Sequence, residues 1–178
     1  MRAVVWTTER SWEACVDEAA ALLPADADIT LLCVLDANVE AVAAAGRMGL
    51  LGRRPPPHEE PTFAQMSAEA AARLLGDAEA RLGRPARTEV RRGRVEREVV
   101  AACDGADLLV LARDGERKLG PPSLGKHQRF VVDHAPCRVL LVWPDEPPGV
   151  GEMPPPPPPG HEPPPPPHEP PPHERRRP

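Results

Sequence analysis

Hydrophobic residues in the first 143 positions alternate between short continuous runs and stretches with helical spacing. Five short runs rich in β-branched or apolar residues predict strands, at residues 2–6, 29–35, 88–92, 107–112 and 138–143. Between them, apolar residues recur every three or four positions. Four helices are predicted there, at residues 12–23, 63–82, 95–103 and 126–134. A further short helix is predicted within residues 37–54.

The order of these elements predicts an α/β fold. Strands that alternate with helices require crossover connections, which favour a doubly wound, five-stranded parallel sheet with helices on both faces. Ligands of such sheets bind beyond the carboxyl ends of the strands, where the strand order reverses. Three segments are therefore candidates for a binding site: the turn after Trp6, the strand end at Val34, and the loop after Ala112.

Composition divides the chain into two parts. Of its 178 residues 27 are proline, and 18 of these lie in residues 144–178. We therefore expect an α/β domain at 1–143 and a disordered, proline-rich tail at 144–178 that favours polyproline II. The tail is either a docking segment for a protein partner or a semi-rigid spacer.

Charge and cysteine content exclude several classes of protein. The net charge of −5 does not favour nucleic-acid binding, and no apolar run is long enough to cross a membrane. The four cysteines form no CxxC pair, which argues against a zinc ribbon and is typical of a cytoplasmic protein. The sequence contains none of the common hydrolase or Walker motifs, so no catalytic residue and no metal site is predicted.

The loop after the fourth predicted strand carries the residues best suited to binding an anion. Gly115 and Gly125 let backbone amides approach a phosphate, Gly125 opens a helix, and Lys126 adds a cation. Glycine in such a loop also serves turn geometry alone, so both interpretations remain open.

Two segments, GADLLVL at 105–111 and DHAPCRVLLV at 133–142, resemble the universal stress protein family. The resemblance implies the predicted fold, homodimers that pair through the last strand, and a role in stress responses. One subset of that family binds ATP through the pattern G-x2-G-x9-G-[S/T]. On this pattern Ala112 replaces the first glycine, Gly115 and Gly125 match the other two, and Lys126 replaces the hydroxyl residue.

Two further positions follow from the same resemblance. The Asp that ATP-binding members carry at the end of the first strand corresponds to Trp6, and Val34 corresponds to the residue whose backbone faces the base. The chain is thus expected to be either a regulatory protein that binds ATP or ADP, with Mg²⁺ only alongside the nucleotide, or an interaction module without nucleotide. A slow ATPase is the most that the first alternative allows, since no general base is identified.

Overall fold

A computed structural model describes residues 1–39, 41–42, 62–153 and 155 of the chain. The strands are β1 Arg2–Trp6, β2 Asp28–Asp36, β3 Arg87–Gly93, β4 Leu108–Ala112 and β5 Arg138–Val142. The helices are α1 Trp12–Leu22, α2 Phe63–Leu82, α3 Val95–Ala102 and α4 Lys126–His134. Single 3₁₀ turns lie at Pro121–Ser123 and Val150–Glu152.

The five strands form one sheet with the order β3-β2-β1-β4-β5. Each neighbouring pair is parallel, and Trp6 pairs with Leu32 while Val5 pairs with Val110. The order reverses between β1 and β4, which places the switch point at the carboxyl ends of these two strands. The predicted doubly wound, five-stranded parallel fold is confirmed.

Side chains of the central strands alternate between two hydrophobic cores. On one face, Val5 and Val110 pack with α1 and α2, through residues such as Val16 and Leu75. On the other face, Trp6 packs with α3 and α4, represented by Val99 and Val131. Because both faces are covered, the central strands are apolar along their whole length, as the continuous apolar runs predicted.

Local signals in the sequence explain where α2 begins and ends. Thr62 and Gln65 form a reciprocal capping box at the first turn. Gly83 ends the helix in the left-handed conformation, with φ 67°. The sequence predicts a buried face of α2 formed by Phe63, Met66, Ala70, Leu74, Ala78 and Leu82, and this is confirmed at Ala78 and Leu82. Nearer the start of the helix, the buried positions are Ala71 and Leu75 instead of Ala70 and Leu74. The side chains that face the sheet are Ala71, Leu75, Ala78 and Leu82, whose spacing of four, three and four residues follows the helical repeat, whereas Met66 is half exposed.

Several predictions lie outside the described residues. Residues 37–39 and 41–42 are helical, but the rest of the helix predicted within residues 37–54 is not described, nor is most of the proline-rich tail. Residues 144–153 are described and contact the domain, since the Glu146 carbonyl accepts a 2.9 Å hydrogen bond from Arg117 Nε and Pro148 is buried. No helix among the described residues is long and apolar enough to span a membrane.

Candidate functional site

A cavity of about 220 Å³ lies at the carboxyl ends of β1 and β2, and we call it the β1–β2 cavity. Its apolar lining comes from both strands and from α2, with Val34 at the strand end and Ala70 on the helix. Three consecutive polar residues, Thr7, Thr8 and Glu9, line it from the turn after β1. The remaining lining residues are Cys33, Leu35, Ser67, Ala71 and Leu74. An apolar cavity with a few polar groups suits a small planar ligand.

Hydrogen bonds fix the polar turn of this cavity. The Thr7 amide and its hydroxyl both donate to the Leu32 carbonyl, at 2.8 and 2.9 Å. The hydroxyls of Thr8 and Ser11 lie 2.7 Å apart at the start of α1. Glu9 is exposed between these anchored residues. Burial raises the pKa of the Cys33 thiol, and the negative charge of Glu9 raises it further, which reflects how close Glu9 lies to the cavity wall.

The loop between β4 and α4 folds back on itself. Its amides bond within the loop: Gly115 N donates to the Ser123 carbonyl at 3.1 Å, and Glu116 N donates to the Pro122 carbonyl at 2.8 Å. A Cβ atom on Gly115 would overlap the Pro122 carbonyl oxygen, so glycine is required here for loop closure. The Arg113 guanidinium donates a hydrogen bond to the Ser123 hydroxyl, which also stabilises the turn.

A carboxylate occupies the N-terminus of α4. Asp114 Oδ1 accepts a 2.8 Å hydrogen bond from the Gly125 amide. Gly125 is the N-cap of α4 and offers no side chain to the first free amides of the helix, which is the position at which helices bind anions. Anion binding at the start of α4 stays a prediction, and in this structure the carboxylate of Asp114 lies at that position.

Lys126 lines a second cleft, of about 300 Å³, between the N-termini of α3 and α4. Buried Glu96 lies in this cleft, 2.9 Å from His127 Nδ1 and 3.2 Å from Arg94. The pKa of the Glu96 carboxyl is lowered, chiefly by its hydrogen bond to its own backbone amide and then by His127 and Arg94. Asp36 lines the same cleft at the end of β2.

A third cleft, of about 310 Å³, is lined by three arginines, Arg10, Arg113 and Arg117, and also by Asp114. The Arg113 guanidinium lies 4.9 Å from the centre of the Trp143 ring, in a cation–π contact. Gly115 forms part of the wall of this cleft. The second and third clefts therefore border the β4–α4 loop or the start of α4, whereas the β1–β2 cavity is lined by β2, α2 and the turn after β1.

The predicted site residues do not all lie at the same cavity. Gly125 and Lys126 lie together at the start of α4, while Val34 lines the β1–β2 cavity and Gly115 lines the arginine cleft. Ala112 is buried in the core next to α1 and α2. Trp6 is only 3 % exposed and lies in the core on the other face, beside α3 and α4. Its ring therefore does not lie between Val34 and Ala112.

Two residues that the sequence analysis did not select belong to the site. Glu9 lies in the turn three residues after Trp6 and lines the β1–β2 cavity, so it brings a carboxylate close to the end of β1. Asp114 has no signal in the sequence beyond its place in a glycine-bearing loop. Among the described residues, no three His, Cys, Asp or Glu side chains come together as a metal site.

The sheet order and the cavities at the carboxyl edge of the sheet define a doubly wound α/β protein. The chain belongs to the universal stress protein family, whose model matches residues 7–142. The resemblance drawn from the sequence is thereby confirmed. No curated protein sequence matches the chain.

Solved structures with low sequence identity share the fold. The hypothetical protein MJ0577 superposes with a TM-score of 0.58 at 16% identity, over 80% of this chain and 95% of that chain. A universal stress protein in complex with cAMP gives 0.53 at 17% identity, over 82% and 98% of the two chains. The universal stress protein UspA from Lactobacillus plantarum gives 0.50 at 21% identity, over 80% and 97%.

Proposed function

We propose that this chain is a regulatory universal stress protein that binds an adenine nucleoside or nucleotide at the carboxyl edge of its sheet. The observation that carries the proposal is the β1–β2 cavity, where an apolar wall at Val34 and Ala70 faces the carboxylate of Glu9. The apolar wall suits a base, and a carboxylate accepts hydrogen bonds from the hydroxyls of a ribose. A relative of the same fold was solved in complex with cAMP, which supports this class of ligand.

A phosphate on such a ligand would meet the β4–α4 loop. Gly125 and Lys126 offer the N-terminus of α4 and an ammonium group, and Ala112 and Gly115 begin the loop on the other side. ATP and ADP are the phosphorylated ligands proposed for this position, with Mg²⁺ only as their counter-ion. The proposed role is binding, by which the ligand orders the loop and biases partner choice in a stress response.

A second candidate function is supported by a separate observation. The amides of Gly115, Glu116 and Gly125 are already bonded within the loop. A loop closed in this way needs no ligand, so the domain would act as an interaction module, with a homodimer through β5 and a protein partner at the proline-rich tail. Strand β5 is an outer strand of the sheet, and its Val139, Leu140 and Leu141 are only partly buried.

Filling the β1–β2 cavity tests the first candidate. In the full chain, Ala70→Trp places an indole where the base would lie, so we expect the affinity for adenosine to fall at least tenfold, because the cavity of about 220 Å³ cannot hold both rings. Isothermal titration calorimetry measures the affinity. Mass spectrometry of the purified wild-type chain for a retained nucleoside or nucleotide provides an independent readout.

The matched control is Ala72→Trp, which adds the same indole to the exposed side of α2. This variant should bind adenosine as the wild type does, and thermal melting should show both variants folded. If the wild type binds neither adenosine nor AMP at millimolar concentration, the nucleotide proposal is wrong and the interaction module is favoured. Equal binding by Ala70→Trp and wild type would show that the ligand lies elsewhere.

A further inference from the structure

Two cysteine side chains meet at the amino edge of the sheet, the edge opposite to the β1–β2 cavity. Cys103 lies in the turn that leads into β4, where its carbonyl accepts a 3.0 Å hydrogen bond from the Ala106 amide. Cys137 directly precedes Arg138, the first residue of β5, which pairs with Leu108 of β4. Because β4 and β5 begin side by side, the two cysteines come to the same place, and both belong to the core that packs against α3 and α4.

The two thiols interact directly. The pKa of the Cys103 thiol is raised to about 12, first by burial and then by the neighbouring Cys137 thiol, with which it shares a hydrogen bond. Burial also raises the pKa of the Cys137 thiol, and the same hydrogen bond partly offsets this effect. Two charges act nearby: Arg91 lowers the pKa of Cys103, and Asp107 raises that of Cys137. Hydrogen-bonded thiols are already in contact, which is the first requirement for a disulfide.

The two thiols differ in their access to solvent. Cys103 is completely buried, whereas Cys137 is only partly buried. An oxidant from solvent therefore reaches Cys137 first, and Cys103 lies behind it. Cys15 and Cys33 are buried in the core on the opposite face of the sheet, so the strands separate them from this pair. One accessible thiol beside one protected thiol is the arrangement of a reacting cysteine and its resolving partner.

We propose that Cys103 and Cys137 form an intramolecular disulfide when the chain meets a hydroperoxide. In the first step the Cys137 thiolate attacks one oxygen of hydrogen peroxide, the O–O bond breaks, hydroxide leaves, and Cys137 becomes a sulfenic acid. In the second step the Cys103 thiolate attacks the Cys137 sulfur, the S–S bond forms, and a second hydroxide leaves. The protons released by the two thiols convert both hydroxides to water, so the thiol pair loses two electrons and the peroxide gains them.

The disulfide would enclose the segment that carries β4, the β4–α4 loop and α4, and would join the end of α3 to the start of β5. Both thiols are protonated at neutral pH, because the pKa of each is raised, so the reaction is slow and answers sustained exposure to peroxide. The modification lies at the edge of the sheet away from the β1–β2 cavity. It therefore does not depend on whether a nucleotide binds there.

Peptide mapping of the full chain tests the proposal. The reduced, folded protein is treated with millimolar hydrogen peroxide, then unfolded, alkylated and digested with trypsin. Cleavage after arginine places Cys103 in residues 98–113 and Cys137 in residues 130–138. We expect these two peptides to be recovered joined, with a mass two hydrogens below the sum of the reduced peptides, and to separate on treatment with dithiothreitol.

The other two cysteines provide an internal control in the same digest. Cys15 and Cys33 share residues 11–46, and this peptide should carry two alkyl groups. The matched variant is Cys33→Ala, which removes a buried cysteine from the opposite face and should form the cross-link as the wild type does.

Two variants separate the roles of the paired thiols. Cys103→Ala removes the resolving thiol, so sulfenic acid at Cys137 should persist and react with dimedone about tenfold more than in the wild type. In Cys137→Ala the buried Cys103 should stay reduced under the same treatment. Thermal melting before oxidation should show that the variants are folded.

Recovery of peptides 98–113 and 130–138 in alkylated form after oxidation of the wild type would overturn the proposal. Peptide 130–138 joined to a second copy of itself would also overturn it, since that product marks pairing between chains. Equal dimedone labelling of wild type and Cys103→Ala would show that Cys103 does not resolve the sulfenic acid. The wild-type measurement needs no substitution, so it decides the proposal even if Cys103→Ala does not fold.

Discussion

At the scale of single residues, the folded chain stabilises the ionised form of Glu96. It is buried in the first turn of α3, within hydrogen-bonding distance of His127 and Arg94. Its pKa is lowered in the folded chain, first by the hydrogen bond to its own amide and then by these partners. Because the folded value lies below the unfolded one, ionised Glu96 stabilises the fold above about pH 4.3, the ordinary Glu value. This stabilisation is lost as the pH falls through the lower folded value.

Glu96→Gln should therefore be less stable than the wild type by about 1 kcal/mol at pH 7. This is the usual difference in stability between a hydrogen bond to a charged group and a hydrogen bond to a neutral group. The difference should shrink as the pH falls below about 4.3. Urea denaturation at several pH values measures it. Glu98→Gln on the same helix is the control, because the Glu98 carboxylate lies 3.9 Å from the Arg91 guanidinium, which is beyond hydrogen-bonding distance. A gap between Glu96→Gln and wild type that stays constant down to pH 3 would contradict this account.

At the scale of elements, the two glycines of α2 and its C-terminal end differ in backbone conformation, and only one of them needs to be glycine. Gly76 lies inside the helix, and a Cβ there would meet nothing within 4 Å. Gly83 ends the helix with φ 67°, which an L side chain rarely adopts. Gly76→Ala should therefore stabilise the chain by about 0.5–1 kcal/mol, and Gly83→Ala should destabilise it by about 1 kcal/mol. Chemical denaturation of the two variants measures both signs, and shifts in the same direction would show that α2 does not end as described.

Most elements were predictable because their signals are local. The bounds of β1 and α4 agree with the prediction to the residue, since each is flanked by its own start or stop signal. The buried face of α2 was predicted correctly only at Ala78 and Leu82, because a long helix rich in alanine presents several apolar stripes and the sheet selects one. Asp114 could not be predicted, because its contact with Gly125 depends on the path of the ten residues between them. Glu9 was not selected because it lies in the turn, three residues after β1 ends, whereas the family resemblance pointed to the last strand residue, Trp6.

On the scale of the whole molecule, the domain has contacts beyond the last strand. Arg117 bonds to the Glu146 carbonyl and lies 3.9 Å from Glu152, and Pro148 is buried. Removing residues 144–178 should lower the melting temperature by roughly 2–4 °C, the shift that about 1 kcal/mol produces in a chain of this size. Removing only residues 156–178 should leave it unchanged, because the sequence there has no apolar residues from which to build a core. Scanning calorimetry of both truncations measures the effect, and a large loss from the shorter truncation would mean that the tail docks on the domain.

The two outer strands of the described sheet differ in character. Strand β3 carries three arginines and one glutamate, with Arg91 2.7 Å from Glu89, whereas β5 carries four consecutive apolar residues after Arg138. Charged side chains on an outer strand discourage the addition of another strand. A pair of chains joined through β5 would therefore turn only the two charged β3 edges outward. Growth by strand addition would end at that pair, because the three arginines and Glu89 of β3 would discourage the addition of another strand and so keep the sheet from extending into a fibre.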